Sequence, residues 1–495
     1  MNLSTLLDMA AEAFGERIAV VCGEQRWSYA ALRAAAINAA AAIRASGAQH
    51  VVLLDVNSPA APVALYAAAY AGIPYVPLNY RLTAAEINAL LARVAPAYLI
   101  TNAAYAKLLE PCADVQVVLR EVFLTLPETS EVPTPAEDPH DIAVQLFTSG
   151  TTGTPKAAVL RHQNLMSYIL GTIEFASADE GDAMLVTVPP YHIAGISAVL
   201  SSTYALRRMV QLEGFEAASW IAAAEAEGVS NAFLVPTMLA RVIEHLAGAA
   251  PGTRLPQLKA LAYGGGKMPL SVIRKAMLLL PQVDYANAYG LTETSSTIAV
   301  LTPDDHRAAA SSSDPAVQRR LGSVGRPGAV EIEIRSDAGR VMVAEEAGLV
   351  FVRGPQVSGE YLALGSQLDA DGWFPTKDRG YLDAEGYLYL DGRADDVIVR
   401  GGENISPGEI EDVLLAHPSV ADAAVVACPD EEWGEGVAAA IVLKPGASAT
   451  TAELQERVRT ALRSSRVPQK IVFKEALPYN ELGKVLRRVI KQELS

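Results

Sequence analysis

Along the first half of the chain two hydrophobic patterns alternate. Residues 32–46, 84–94, 217–227 and 238–247 carry apolar side chains at helical spacing. Short continuous apolar runs at 50–56, 97–101, 184–189, 231–236 and 258–263 read as buried strands. Strands alternating with helices predict parallel sheets covered by helices. The nearest thing to a membrane span, the twenty uncharged residues 59–78, holds four prolines, so it predicts a short buried helix and then a strand.

Past residue 329 the texture changes. VEIEIRS, GLVFVRG and GYLYLDGRADDVIVRGG alternate with period two between glycine-rich turns, which predicts a smaller antiparallel region. After Gly401 and Gly402, Ser406-Pro407-Gly408-Glu409 is a helix-start pattern: Ser as N-cap, Pro at the first helical position, Glu at the third. Helix (407–416), strands (421–427, 437–443), helix (451–463), strand (470–473) and a terminal helix follow. The expected fold is α/β: a large N-terminal domain of helix-covered sheets with a small β subdomain, 1–393, then a small α+β domain, 394–495.

Composition narrows the function classes. The 495 residues are 51% hydrophobic and 19% charged, which supports a large core and excludes disorder. A formal net charge of −16 argues against a nucleic-acid partner. Cys22, Cys112 and Cys428 lie far apart, so neither a disulfide framework nor a structural zinc site is expected. The acids in MNLSTLLDMAAEAFGERIAV do not suit a secretory signal, and a cytoplasmic location is expected.

The candidate chemistry begins at Leu146–Lys156, LFTSGTTGTPK. Thr148, Ser149, Thr151 and Thr152 supply hydroxyls, Gly150 and Gly153 allow close backbone approach, and Lys156 adds a positive charge. The spacing is not that of a Walker A loop, and the apolar flanks look like two strands. Composition alone leaves a hairpin with no ligand open. Further along stand PPYHIAG (189–195), AYGGG (262–266), NAYGLTE (287–293), PTKDRGY (375–381), DGR (391–393), GGENISPGEIE (401–411) and PYNELGKVLRR (478–488).

FTSGTTGTPK resembles the signature loop of the adenylate-forming superfamily, which includes the fatty-acid, 4-coumarate and 4-chlorobenzoate CoA ligases, and the later motifs agree in order. The resemblance implies nucleotide contacts from Thr148, Ser149, Gly150, Thr151, Thr152, Gly153, Lys156, Gly264, Gly265, Gly266, Asn287, Tyr289, Gly290, Leu291, Thr292, Asp378, Arg393 and Lys484. Within this set Tyr289 would stack on adenine and Asp378 would accept from the ribose hydroxyls. Glu293 would hold Mg²⁺, a hard cation that favours oxygen ligands. Lys484, Thr292 and His192 form the implied catalytic set. His192, Ile193, Ala194, Gly195, Gly264, Ala288, Gly290 and Ser295 would line the acyl pocket. Gly401, Gly402, Glu403 and Trp433 would serve the thioester step, and Asp395 would be the hinge.

One position departs from the family pattern: the usual TGD has Lys377 in place of its glycine. Ala288 stands where relatives acting on short dicarboxylates carry an arginine, which favours an aromatic or aliphatic monocarboxylic acid. The implied reaction turns such an acid, ATP and CoA into acyl-CoA, AMP and pyrophosphate through an acyl-adenylate. Small molecules are the expected partners of a monomer or homodimer. A ligase loading a carrier-protein thiol and a non-catalytic nucleotide or acyl sensor remain the alternatives.

Replacing Lys484 with Ala is expected to slow adenylation by about 10²–10³, the usual loss for one preorganised charge contact. Thioester formation from supplied acyl-adenylate should be nearly untouched. Single-turnover rates of the two half-reactions check this, and equal losses in both contradict the assignment.

Overall fold

The computed structural model describes residues 1–129, 138–148, 155–401, 403–430, 432–479 and 485–494. Ser149, Gly150, Thr151, Thr152, Gly153, Gly402 and Lys484, all expected in the site, lie outside the described residues.

Two large mixed sheets dominate the first 330 residues. One has nine strands. Ile18–Cys22, Arg208–Gln211, Ala183–Val186, Asn231–Leu234, Ala260–Gly264 and Asp284–Leu291 run parallel within it, with antiparallel strands at both edges. The other has eight strands and a parallel half built from Val115–Leu119, Ala97–Thr101, His50–Leu54, Tyr75–Pro77 and Ile142–Thr148. The alternation legible in sequence is therefore borne out, with ends moved by a few residues.

The main core lies between these sheets. Helix Ala60–Ala71 is apolar all round and every residue but Ala71 is buried, so it can only be an interior helix. It packs with Ser4–Phe14, Tyr29–Ser46 and Ile193–Ala205 in one cluster that includes side chains from both sheets. Helices Ala217–Ala226, Pro236–His245 and Leu270–Leu279 cover the outer face of the nine-stranded sheet, closing a second cluster around Trp220. The expected antiparallel region is a four-stranded sheet of Glu331–Arg335, Gly348–Arg353, Phe374–Leu382 and Leu388–Arg393.

A five-stranded sheet follows, Ile398–Arg400, Glu403–Ile405, Val420–Asp430, Gly434–Leu443 and Lys470–Lys474, with helices Pro407–Leu415, Thr451–Ala461 and Arg487–Leu494. Ser406 is the N-cap residue of Pro407–Leu415, but its side chain does not cap the helix. The hydroxyl instead donates to the Asp391 carbonyl, so the helix-start pattern supplies a tether across to the preceding sheet.

The first helix is held from a distance. His162 is buried, and its Nδ1 accepts from the Leu3 amide at 3.2 Å. Burial pushes this imidazole down to about 4. Its folded value thus lies below the ordinary value near 6.5, so the stability tied to neutral His162 is complete above pH 6.5 and lost as pH falls from there toward 4. The melting temperature is expected to drop across that window, with a slope approaching about 1.4 kcal/mol per pH unit from this group. A His162→Gln variant should show a shallower drop, and identical pH profiles contradict the linkage.

Candidate active site

The site gathers where the ends of strands from three sheets meet. Asp284–Leu291 carries Asn287, Ala288, Tyr289 and Gly290, and the turn Thr292–Thr294 continues from it. Ala260–Gly264 runs parallel beside it, pairing Gly264 with Ala288. This contact fixes the residue type: a Cβ on Gly264 would stand 2.2 Å from the Ala288 carbonyl oxygen. The two strands are therefore in direct backbone contact here, with no room for a side chain on Gly264.

Tyr289, Asp378 and Arg393 are brought together. The Tyr289 hydroxyl donates to Asp378 Oδ2 at 2.5 Å, and Arg393 Nε lies 3.1 Å from Asp378 Oδ1. Burial and then the Asp378 charge push the Tyr289 phenol well up, so it stays a donor at any working pH. Arg393 also donates to the Thr376 carbonyl at 3.2 Å. Asp378 and Arg393 face each other as cross-strand partners.

Lys377 explains how Asp378 reaches this position. Leu349 pairs with Arg379 and Phe351 with Pro375, so Val350 alone stands opposite Thr376–Asp378. This is a bulge, which re-aims side chains near sites. Thr376 Oγ1 donates to the Val350 carbonyl at 2.8 Å and accepts from the Asp378 amide at 3.1 Å. Lys377 sits at the crest with φ +64°, the left-handed region that glycine adopts freely. The family's glycine is absent, but the conformation it serves is kept.

Glu293 is 8% exposed, and its backbone carbonyl accepts from the amides of Ser358 (2.9 Å) and Gly359 (3.1 Å). Its Oε1 accepts from the Tyr361 hydroxyl at 2.5 Å. Lys156 Nζ lies 5.8 Å over the Tyr361 ring. Thr148 and Lys156 pair across the hairpin of Ile142–Thr148 and Lys156–Arg161, confirming the two strands expected around the signature loop. Nothing in the motif set pointed to Tyr361. Its only signal is an aromatic in the short strand Glu360–Tyr361, 68 positions after Glu293.

His192 caps helix Ile193–Ala205 through its backbone, its carbonyl accepting from Gly195 N at 2.9 Å. The ring is pushed down to about 3, first by burial and then by the Arg81 charge, so it is neutral. Among the described residues its Nε2 is buried without a hydrogen-bond partner, as is Ser295 Oγ. Both groups have a bonding valence left to offer. Asn287, by contrast, is engaged: its amide donates to the Ser323 carbonyl at 3.2 Å. Gly265 and Gly266 are exposed in the turn that follows Gly264.

The thioester-step candidates lie on the C-terminal module. Gly401 packs under Trp433, where a Cβ would meet the indole at 2.5 Å, and its φ is +57°. Trp433 is 45% exposed. Glu403 is held by Arg466. Asp395 is exposed in the turn Ala394–Asp396. The same module touches the Gly264–Gly266 turn: Lys267 Nζ donates to the Gly408 carbonyl at 3.1 Å and to Asp412 Oδ2 at 2.7 Å. Arg487 is absorbed structurally, in a bidentate pair with Glu411 at 2.5 and 2.9 Å.

A phenol–carboxylate–guanidinium cradle and a buried acid, set between a two-sheet body and a small α+β module, define an adenylate-forming ligase. Family models described as AMP-binding enzyme and AMP-binding enzyme C-terminal domain match residues 7–362 and 409–484. The chain belongs to the AMP-binding enzyme family and is an AMP-forming acid–thiol ligase that uses ATP and CoA. It is 31% identical to an indoleacetate–CoA ligase from Aromatoleum aromaticum, over 99% of this chain and 98% of that one. It is 32% identical to a fatty acid–[acyl-carrier-protein] ligase from Streptomyces coeruleorubidus, over 96% and 92%. The o-succinylbenzoate CoA synthetase of Bacillus subtilis, solved with its acyl-adenylate intermediate, superposes with a TM-score of 0.85 at 28% identity, covering 98% of this chain and 97% of that one.

Lys377→Gly is expected to raise the thermal midpoint, because a non-glycine left-handed residue costs about 1–2 kcal/mol and glycine's extra unfolded-state entropy returns only part of that. Differential scanning calorimetry checks it. A lower midpoint shows that the lysine side chain contributes more than the backbone costs.

Proposed function

We propose that the acid is an aromatic monocarboxylic acid, that CoA is the working acceptor, and that the residues above divide the two half-reactions between them. Support for a monocarboxylic acid comes from Ala288, whose methyl offers no positive charge to pair a second carboxylate. The indoleacetate activity named for one relative supports an aromatic monocarboxylate, and the succinylbenzoate named for another supports the aromatic ring, though that acid carries a second carboxylate.

In this reading Asp378 and Arg393 hold the ribose, and Tyr289 presents its ring to the adenine. The neutral His192 offers its unpartnered Nε2 toward the acid; a carboxylate ionised at neutral pH needs no base. The donor set fits a hard divalent cation, since Glu293 offers a buried carboxylate oxygen and Thr292 precedes it in the same turn. When bound with ATP, Mg²⁺ would neutralise charge developing on the phosphates. Lys484 would add its charge in the same half-reaction.

The contacts of Lys267 with Gly408 and Asp412 support a seat in which helix Pro407–Leu415 rests against the residue following the Gly264–Gly266 turn, the arrangement expected for thioester formation. Rotation about Asp395 would exchange this seat for one that brings in Lys484. Transfer to a carrier protein is the second reading, favoured by the acyl-carrier-protein ligase among the relatives.

Pyrophosphate release should be measured against arylacetic, benzoic and linear fatty acids, then thioester formation with CoA and with a phosphopantetheinylated carrier. Aromatic acids are expected to lead in kcat/KM by about 10–200-fold, the range an apolar pocket provides, and CoA to discharge the adenylate. A linear acid that leads, or a carrier that outpaces CoA, overturns the corresponding half of the proposal.

A further inference from the structure

The Glu293 carboxylate is not left to find its own orientation. Segment Ser358–Leu362 is attached to two parts of the site at once. On one side, the Ser358 and Gly359 amides hold the Glu293 main chain, and Ser358 Oγ adds a third donor to the same carbonyl at 3.2 Å. On the other side, Glu360 and Tyr361 pair with Val159 and Ala158 of the strand that leaves the signature loop. Leu362 N donates to the Ala157 carbonyl at 3.0 Å, and Arg161 clamps Glu360 with two bonds of 2.8 and 3.0 Å. The Tyr361 side chain completes the bridge: its ring lies under Lys156 and its hydroxyl donates to Glu293 Oε1. Among the described residues, Oε1 is the carboxylate oxygen that receives a hydrogen bond; Oε2 receives none.

We propose that Tyr361 is the positioning residue for Glu293: by occupying Oε1 it fixes the carboxylate so that Oε2 is the oxygen offered to the divalent cation that accompanies ATP. A lone carboxylate on a short turn samples rotamers and can bind a cation through one oxygen or two. A donor on one oxygen removes that freedom, as outer partners of metal ligands do. Because Tyr361 rides on the strand beginning at Lys156, the segment that leaves the signature loop also sets this orientation. Substrate phosphate and cation are thereby registered by one piece of backbone. The inference rests on the reading of Glu293 as the cation ligand.

The test is Tyr361→Phe, which keeps the half-buried ring and removes only the hydroxyl, with Glu293→Gln alongside. Mn²⁺ binding to the protein with α,β-methylene-ATP is followed by electron paramagnetic resonance, and AMP affinity is measured without metal. Tyr361→Phe is expected to weaken Mn²⁺ binding about 10–100-fold, the usual effect of losing such an outer partner. It should leave AMP affinity measured without metal unchanged, which a merely structural role would not. Wild-type Mn²⁺ affinity in Tyr361→Phe, with loss in Glu293→Gln, overturns the inference alone. Wild-type affinity in both variants overturns the cation reading of Glu293 and the inference with it.

Discussion

The carboxylate of Asp378 is the point on which the site's geometry depends. It takes a phenol from the nine-stranded sheet and a guanidinium from the last strand before the C-terminal module. A half-satisfied buried carboxylate would cost more than the pair gains, so each partner commits the other. With Tyr289 and Arg393 both engaged, two sheets that share no strand pairing are registered against each other. The turn at Ala394–Asp396 starts immediately after Arg393, so the module's point of attachment is also set by that charge.

The strain this requires is placed where it does least harm. A bulge carries Asp378 inward, and the left-handed residue that permits the bulge is exposed and makes no contact that the site needs. Close approach is handled differently. At Gly264 no side chain could fit at all, because the neighbouring strand's carbonyl occupies the space.

Much of this was legible beforehand, for identifiable reasons. Period-two and helical spacing report local backbone, so helices such as Ala217–Ala226 and strands such as Ala97–Thr101 emerged within a residue or so. Motif order placed Tyr289, Asp378 and Arg393 in one cluster. What spacing cannot carry is pairing between distant strands, such as Ile18–Cys22 beside Arg208–Gln211. Nor does it show how a side chain spends its hydrogen bonds. Asn287 looks like a ligand residue and bonds Ser323, Ser406 looks like a cap and bonds Asp391, and Tyr361 belongs to no motif yet touches Glu293. Each of these is settled by a partner far away in sequence.

The contact between Lys267 and the module has a wider meaning. Among the described residues no hydrophobic cluster contains side chains from both sides of Ala394–Asp396; the module closes its own interior around Ile398, Leu414 and Ile441. What joins the two is polar: Lys267 with Asp412 and Gly408, and Ser406 with Asp391. An ion pair as exposed as Lys267 with Asp412 contributes little and weakens as salt rises. Such a border resembles a docking between two proteins more than a layer within one, and ionic strength can loosen it while both interiors stay intact.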